Sequence, residues 1–344
     1  MGAVGGVEHL KMAPQRIRRW LRQALGVIVP IVCLALIFRQ VRFDELRQAL
    51  GQLDWRFVAL GVASLAFGYA IRIHRWAVML RATGTSVDDW TCAAPFLGSI
   101  TLNNVLPFRA GDFVRALVFP SSLGVRRVTA TASLLLERLL DLLTLLLSLG
   151  IGLSLSTRVG LPQWLGKSAV ILSVLGATAL FVVVACDSFL GKTLANMQKA
   201  ADSRGSSRIA TGLNVARDLI SSLGRMSRPG TLLFLLSLSM AVWAFEAGLF
   251  WALLEGFGIH AGIASALLIM AIATLSTLVP SAPGYVGPFH LAAYSAITML
   301  DGSPGEAASF AVLAHLGVWL PTTLAGGIAI LSHPGLFKAR KAPL

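Results

Sequence analysis

Seven apolar runs govern what this 344-residue chain can fold into. They occupy residues 24–38, 55–71, 130–155, 169–186, 231–257, 263–279 and 307–331, each close to the roughly 20 residues that carry a helix across a hydrocarbon core. Hydrocarbon offers no water to an unpaired amide, so spanning backbone closes its hydrogen bonds within a helix or a barrel. Continuous runs of this length select the helix. The composition agrees: 56% of residues are hydrophobic and 13% charged, where a soluble domain carries roughly a quarter charged. The expected fold is therefore an all-α polytopic membrane protein.

The net charge of +13 would suit a nucleic-acid partner, but its placement argues for topology instead. Lys11, Arg16, Arg18, Arg19 and Arg22 precede the first run, and Lys338, Arg340 and Lys341 follow the last. A polar loop at 187–230 carries seven more basic residues against Asp187, Asp202 and Asp218. Basic loops stay in the cytoplasm, so both tails and this loop are expected there, against anionic head groups of the cell membrane. No small-x-small site follows the first run, which reads as a retained helix rather than a cleaved signal. The division is a cytoplasmic tail at 1–19, one transmembrane domain at 20–332, and a second tail at 333–344. Residues 39–54 are expected as an outer loop containing a short amphipathic interfacial helix.

Within this frame one motif is written twice. TLNNVLPFRAG at 101–111 returns as TLSTLVPSAPG at 274–284, 173 positions later. Each copy sits between two spans, in the stretches 55–155 and 231–331. By the charge-derived topology the first stretch begins inward and the second outward, so the expected architecture is an inverted repeat of span, broken re-entrant hairpin, span, with extra N-terminal and central helices. Broken helices at corresponding positions of two inverted halves mark the central site of a transporter. Pro107, Pro280 and Pro283 remove amide donors, while Gly111, Gly284 and Gly287 allow unusual angles and close packing. Unwound backbone at that depth is buried in protein or lines a polar cavity, where free amides favour an anion. The plainer alternative is that proline and glycine only kink packed helices.

Charged residues accompany the breaks. Asn103, Asn104, Arg109, Asp112 and Arg115 surround the first, and Glu137, Arg138 and Asp141 lie well inside the span that follows. Arg72 and Arg75 close the preceding span; Glu246 and His315 lie within spans of the second half, and His290 follows the second break as a candidate proton-linked group. Ionisable side chains in a membrane pair internally or face water. The set is thus either a structural ion-pair cluster or a polar pathway. Head-group binding falls to Arg72, Arg75, Asn103, Asn104, Arg109, Asp112 and Arg115, and an intramembrane charge cluster to Glu137, Arg138, Asp141, Glu246 and His315.

Familiar catalytic signals are missing from the sequence. GLPQWLGKS at 160–168 misses the phosphate-binding spacing by one residue and lacks a strand before it. No HExxH, paired CxxC or GxSxG occurs, and Cys33, Cys92 and Cys186 have no pairing or metal spacing. No metal or cofactor is expected.

The motifs IRIHRW, N-x-x-x-P-x-R-x-G-D-x-x-R (Asn103 to Arg115), ERLLD and PSAPGYVG together resemble the flippase-like family known as the lysylphosphatidylglycerol synthase transmembrane domain, UPF0104-like integral membrane proteins. The resemblance implies a lipid translocator that moves anionic or glycosylated lipids between leaflets, in some members fused to a soluble aminoacyl-transferase domain that is not expected here. Two departures from the family pattern stand out. Asp112 occupies a position usually held by glutamate, and Tyr285 and His290 replace a glycine and an acidic residue after the second break. The leading expectation is a secondary lipid flippase without an ATPase, with membrane lipids as partners. The alternatives are an enzyme, or membrane subunit of one, that transfers a sugar or aminoacyl group to a lipid, and a scaffold for lipid-synthesis enzymes.

Overall fold

The computed structural model describes residues 43–155, 207–279 and 283–337, with isolated helical positions at residue 35 and between 168 and 197. Apart from those positions, the runs at 24–38 and 169–186, the basic tails, the first part of the basic loop and Pro280 lie outside the described residues. Every regular element among the described residues is helical. In chain order these are α1 (Phe43–Gly51), α2 (Trp55–Arg81), α3 (Asp89–Val105), α4 (Ala110–Leu117), α5 (Arg127–Leu155), α6 (Ser207–Met226), α7 (Pro229–Gly256), α8 (Gly262–Ser276), α9 (Pro288–Thr298) and α10 (Pro304–Ser332). Of these, α2, α7 and α10 are long and apolar enough to cross a membrane, and the chain is a multi-pass membrane protein.

Local chemistry sets the helix ends. Asp54 accepts from Arg56 N at 2.9 Å to start α2, Asp88 and Thr91 form a reciprocal capping box at α3, and Ser303 with Glu306 does the same at α10. Pro229, Pro288 and Pro304 occupy the first helical turn, where a missing amide costs nothing. Helix α3 stops because Leu106 precedes Pro107 and is held extended, at φ −98° and ψ 148°.

The order long helix, short helix, break, short helix, long helix occurs twice, as α2–α5 and as α7–α10. The packing repeats as well. Helix α2 lies along α7, α3 along α10, and α8 along α5. The first pair is antiparallel: Asp54 N bonds Gly256 O, Ser64 Oγ donates to Phe245 O at 2.7 Å, and Arg75 donates to Ser239 Oγ at 2.7 Å, one sequence rising as the other falls. The other two pairs meet at glycine, the usual device of membrane helices. A methyl on Gly326 would stand 2.0 Å from Leu97 O, and one on Gly152 would stand 2.9 Å from Leu268.

The largest apolar cluster lies in the second half, where α7, α8, α9 and α10 pack around Phe250, Phe289 and Phe310. Helix α1 crosses α10 at Gly305, whose missing Cβ makes room for Glu45. Part of the expected loop at 187–230 is instead helix α6. Its apolar stripe, ending in Leu219, Leu223 and Met226, packs on Met79, Leu136 and Leu140. Asp218 on its other face accepts from Arg126. The basic residues obscure this helix when the segment is read for hydropathy alone.

Candidate functional site

Between the two halves, eight charged side chains among the described residues meet inside the protein. Helix α2 contributes Arg72 and Arg75 from one face, α4 contributes Asp112 and Arg115, α5 contributes Glu137, Arg138 and Asp141, and α7 contributes Glu246. Arg72 donates to Glu246 at 2.5 Å and lies 3.9 Å from Asp141; Arg75 donates to Asp141 at 2.7 Å. Arg115 donates to Glu137 at 2.9 Å, and Arg138 reaches both oxygens of Asp112 at 2.8 Å. Four cations meet four anions, so the cluster is neutral as a unit. Removing such charges from water is affordable only with partners in place.

Burial divides the set. Arg75 and Arg115 are 0% and 1% exposed; the Arg115 guanidinium lies 4.8 Å from the centre of the Phe96 ring and 5.4 Å from that of Trp76. Among the described residues, the guanidinium Nε and one further nitrogen of each find no hydrogen-bond partner, nor does Glu137 Oε2. These residues form the floor beneath the site rather than its surface.

Above the floor the two breaks face each other. In the first, α4 folds back along α3 so closely that a methyl on Gly111 would lie 1.9 Å from Ser99 O. Asn103 closes this hairpin twice, accepting from Asp112 N at 3.0 Å and donating to Asp112 Oδ1 at 2.9 Å. The left-handed position in this break is not the glycine but Arg109, at φ 52° and ψ 44°, a conformation costly for a residue with a Cβ. In the second break Gly284, Tyr285 and Gly287 have φ of 75°, 60° and 100°. His315 Nε2 donates to Gly284 O at 2.6 Å, and its ring centre lies 4.5 Å from that of the buried His290.

Arg109 crosses from one break to the other. Its guanidinium sits 5.4 Å from the Tyr285 ring centre and 3.3 Å from Thr277 Oγ1. Among the described residues no carboxylate lies within ion-pair distance of it. The space between the breaks is a cavity of about 160 Å³ whose polar wall includes Arg72, Asn103, Asn104, Arg109, Arg138 and Glu246.

The structure therefore separates residues that the sequence groups together. Arg72, Asn103, Asn104 and Arg109 line the cavity, with Arg138, Glu246, Gly284 and His315 from the other groups. Arg75 and Arg115 do not, and Asp112 is turned to Arg138 and Asn103. Arg72 and Arg75 are buried in ion pairs rather than spread along an interface. Arg138 pairs with Asp112 on α4, not with Asp141 one turn along its own helix. His315 belongs to the second break and not to the ion pairs. Pro107 opens the turn after α3, and Pro283 opens the turn before α9.

Sequence reasoning misses the aromatic part of the wall, formed by Tyr69, Trp243, Tyr285, Phe289 and Trp319. A signal for three of them exists: Tyr69, Trp243 and Trp319 lie one turn from Arg72, Glu246 and His315. Helical spacing puts each beside an intramembrane polar group, and the Arg72 guanidinium is 4.6 Å from the Trp243 ring centre.

Fold and site together define a multi-pass helical membrane protein with a neutralised charge cluster beneath a small polar cavity. The chain belongs to the family described as the lysylphosphatidylglycerol synthase TM region, which matches residues 23–326. It is 26% identical over 340 residues to Glycosyltransferase AglD of Haloferax volcanii, covering 91% of this chain and 54% of that protein. The chain thus spans about half the length of this relative. It is 21% identical over 329 residues to a UPF0104 membrane protein of Methanothermobacter thermautotrophicus, covering 91% of this chain and 95% of that one. No solved structure gives a significant match.

Proposed function

We propose that the protein is a secondary lipid transporter that moves an anionic or glycosylated lipid, such as a phospholipid or a polyprenyl-phosphate-linked precursor, between leaflets. The observation that carries this reading is Arg109, a cation in a polar cavity without a carboxylate partner among the described residues, held in a costly backbone conformation where two broken helices meet. The neighbouring charges cancel one another, so an arriving anion finds one uncompensated guanidinium with planar donors suited to a phosphate. Arg138 and Arg72 stand beside it, each already bound to a carboxylate that would have to be displaced.

The architecture supports the mechanism. Antiparallel packing of α2 on α7, which open the two matching series of helices, is what an inverted repeat requires, and the return of α4 along α3 suits a re-entrant hairpin. Rocking one half against the other would then expose the breaks alternately to the two faces. Arg81, Arg126, Arg127 and Arg228 lie at helix ends that gather on one side, which the positive-inside rule assigns to the cytoplasm.

A second reading, a membrane enzyme or enzyme subunit acting on a lipid-linked sugar, draws on the name of the glycosyltransferase relative. The carboxylates that could serve it as a base are poorly placed: Asp112, Glu137 and the cavity-lining Glu246 each accept from an arginine. The deciding experiment is leaflet exchange in proteoliposomes with fluorescent phosphatidylglycerol and a fluorescent polyprenyl phosphate. Exchange by the wild type that Arg109→Ala abolishes and Arg109→Lys partly restores is the expected result. Folded protein that exchanges neither lipid would move the assignment to the enzyme reading.

A further inference from the structure

A second cavity, of about 240 Å³, lies directly beside the polar one. It is walled by α2, α3 and α10, and its character is opposite: Leu65, Ala66, Ala70, Leu97, Pro321 and Ala325 contribute only hydrocarbon. The two spaces share Tyr69 and Thr322, which line both. Among the described residues these are the only polar side chains on the wall of the apolar slot.

The slot exists because small residues face each other. Ala66 and Ala70 are one turn apart on α2, and Ala325 is one turn beyond Pro321 on α10. Proline at 321 also removes an amide from the middle of α10. Ala66, Ala70 and Ala325 are exposed, whereas Leu65 and Thr322 are buried. The slot therefore opens sideways, on the surface a bilayer would cover, and its inner wall is the partition shared with the polar cavity.

We infer that this slot holds one hydrocarbon chain of the lipid whose anionic head occupies the polar cavity. The inference rests on the transport reading for the head group and adds how the rest of the molecule is held. An amphiphile entering from the bilayer between α2 and α10 would meet an apolar slot first and a guanidinium behind it, in the order its own polarity requires. Tyr69 and Thr322 mark the level at which chain gives way to head group. The site then selects for a lipid that can place a single chain beside its phosphate.

The test uses full-length protein in nanodiscs containing phosphatidylglycerol with a photoreactive diazirine in one acyl chain, with adducts mapped by mass spectrometry. Adducts concentrated on the segments around residues 66–70 and 321–325, and reduced about tenfold in the slot-filling variant Ala70→Phe/Ala325→Phe, are expected. The milder Ala325→Leu should give an intermediate yield. Both changes are at exposed positions, and an unchanged unfolding temperature confirms that the fold is intact. Adducts spread evenly over the outward-facing helices, or an unchanged yield in the filled variant, would overturn the inference. Adducts in the slot from a protein that exchanges no lipid between leaflets would instead overturn transport and leave the slot standing.

Discussion

Arg138 holds Asp112 through one guanidinium nitrogen that lies 2.8 Å from both carboxylate oxygens. The base is on α5 and the acid on α4. One turn away Arg115 and Glu137 reverse the arrangement, with the base on α4 and the acid on α5, at 2.9 Å. Two ion pairs of opposite sense fix the register of the short arm against the long helix, because a shift of either helix would bring like charges together. They differ in burial: the Arg138 side chain is 38% exposed, those of Arg115 and Glu137 only 1% and 3%.

That difference sets the first prediction. Arg115→Met takes away the hydrogen-bonded partner of the buried Glu137 carboxylate, leaving it only the Arg75 guanidinium at 4.0 Å, and should cost roughly 3–5 kcal/mol, whereas the double variant Arg115→Met/Glu137→Leu should recover most of the loss. Arg138→Met, at the less buried pair and with Asn103 still donating to Asp112, should cost less, about 1 kcal/mol. Unfolding of the purified variants in mixed detergent micelles measures all three. Equal losses at the two pairs would refute the ordering.

Neighbouring glycines on the long helices should respond with opposite signs. A methyl on Gly326 meets Leu97 O at 2.0 Å, but around Gly327 none of the described residues lies within 4 Å; in the other half Gly152 meets Leu268 at 2.9 Å and Gly150 meets none of the described residues. Gly327→Ala and Gly150→Ala should stabilise by about 0.5–1 kcal/mol through helix propensity. Gly326→Ala and Gly152→Ala should destabilise by about 1–3 kcal/mol, since backbone must move. Thermal unfolding of the four variants checks it, and a stabilised Gly326→Ala would contradict the close packing of α3 on α10.

Much of this architecture is legible in the sequence, and the exceptions have physical causes. Apolar length places α2, α5, α7, α8 and α10, and the proline after Leu106 marks the end of α3. The repeated motif coincides with the two breaks, yet the same glycine letter does two jobs. Gly111 is required by contact with Ser99, while Gly284 is required by a positive φ. Which acid pairs with which arginine is not readable, because Asp112 and Arg138 are 26 residues apart and meet only through tertiary packing. Arg138 and Asp141 share a helix and look like partners, but the chain sends the arginine across to α4. The left-handed Arg109 is likewise invisible to propensity, which would assign that conformation to glycine.

The cap of α3 carries a pH dependence outside the spans. Asp88 accepts from Thr91 N at 2.7 Å, and this backbone hydrogen bond, with that from the Thr91 hydroxyl, holds its pKa below the ordinary 3.8. A carboxylate with a lowered folded-state value contributes stability above its unfolded value and loses it as pH falls through the folded one. The gap in unfolding temperature between wild type and Asp88→Ala should therefore be full at neutral pH and close in acid below about pH 4. A gap that persists unchanged under acid would show that the side chain does not act as a charged cap.

Arg109 offers the sharpest separation of stability from activity. Its left-handed backbone, at φ 52°, is penalised for any residue with a Cβ by roughly 1–2 kcal/mol, and no ion pair among the described residues offsets that cost. Arg109→Gly should remove the strain and stabilise the protein by about 1 kcal/mol while abolishing lipid exchange. Arg109→Lys should keep the strain and part of the exchange, because an ammonium cannot pair two phosphate oxygens as a guanidinium does. Residues kept at the expense of stability cluster where a protein acts. A glycine variant that is both less stable and inactive would mean that Arg109 is there to brace the two breaks through Thr277 and Tyr285. One that is more stable and inactive would place the anion at this guanidinium.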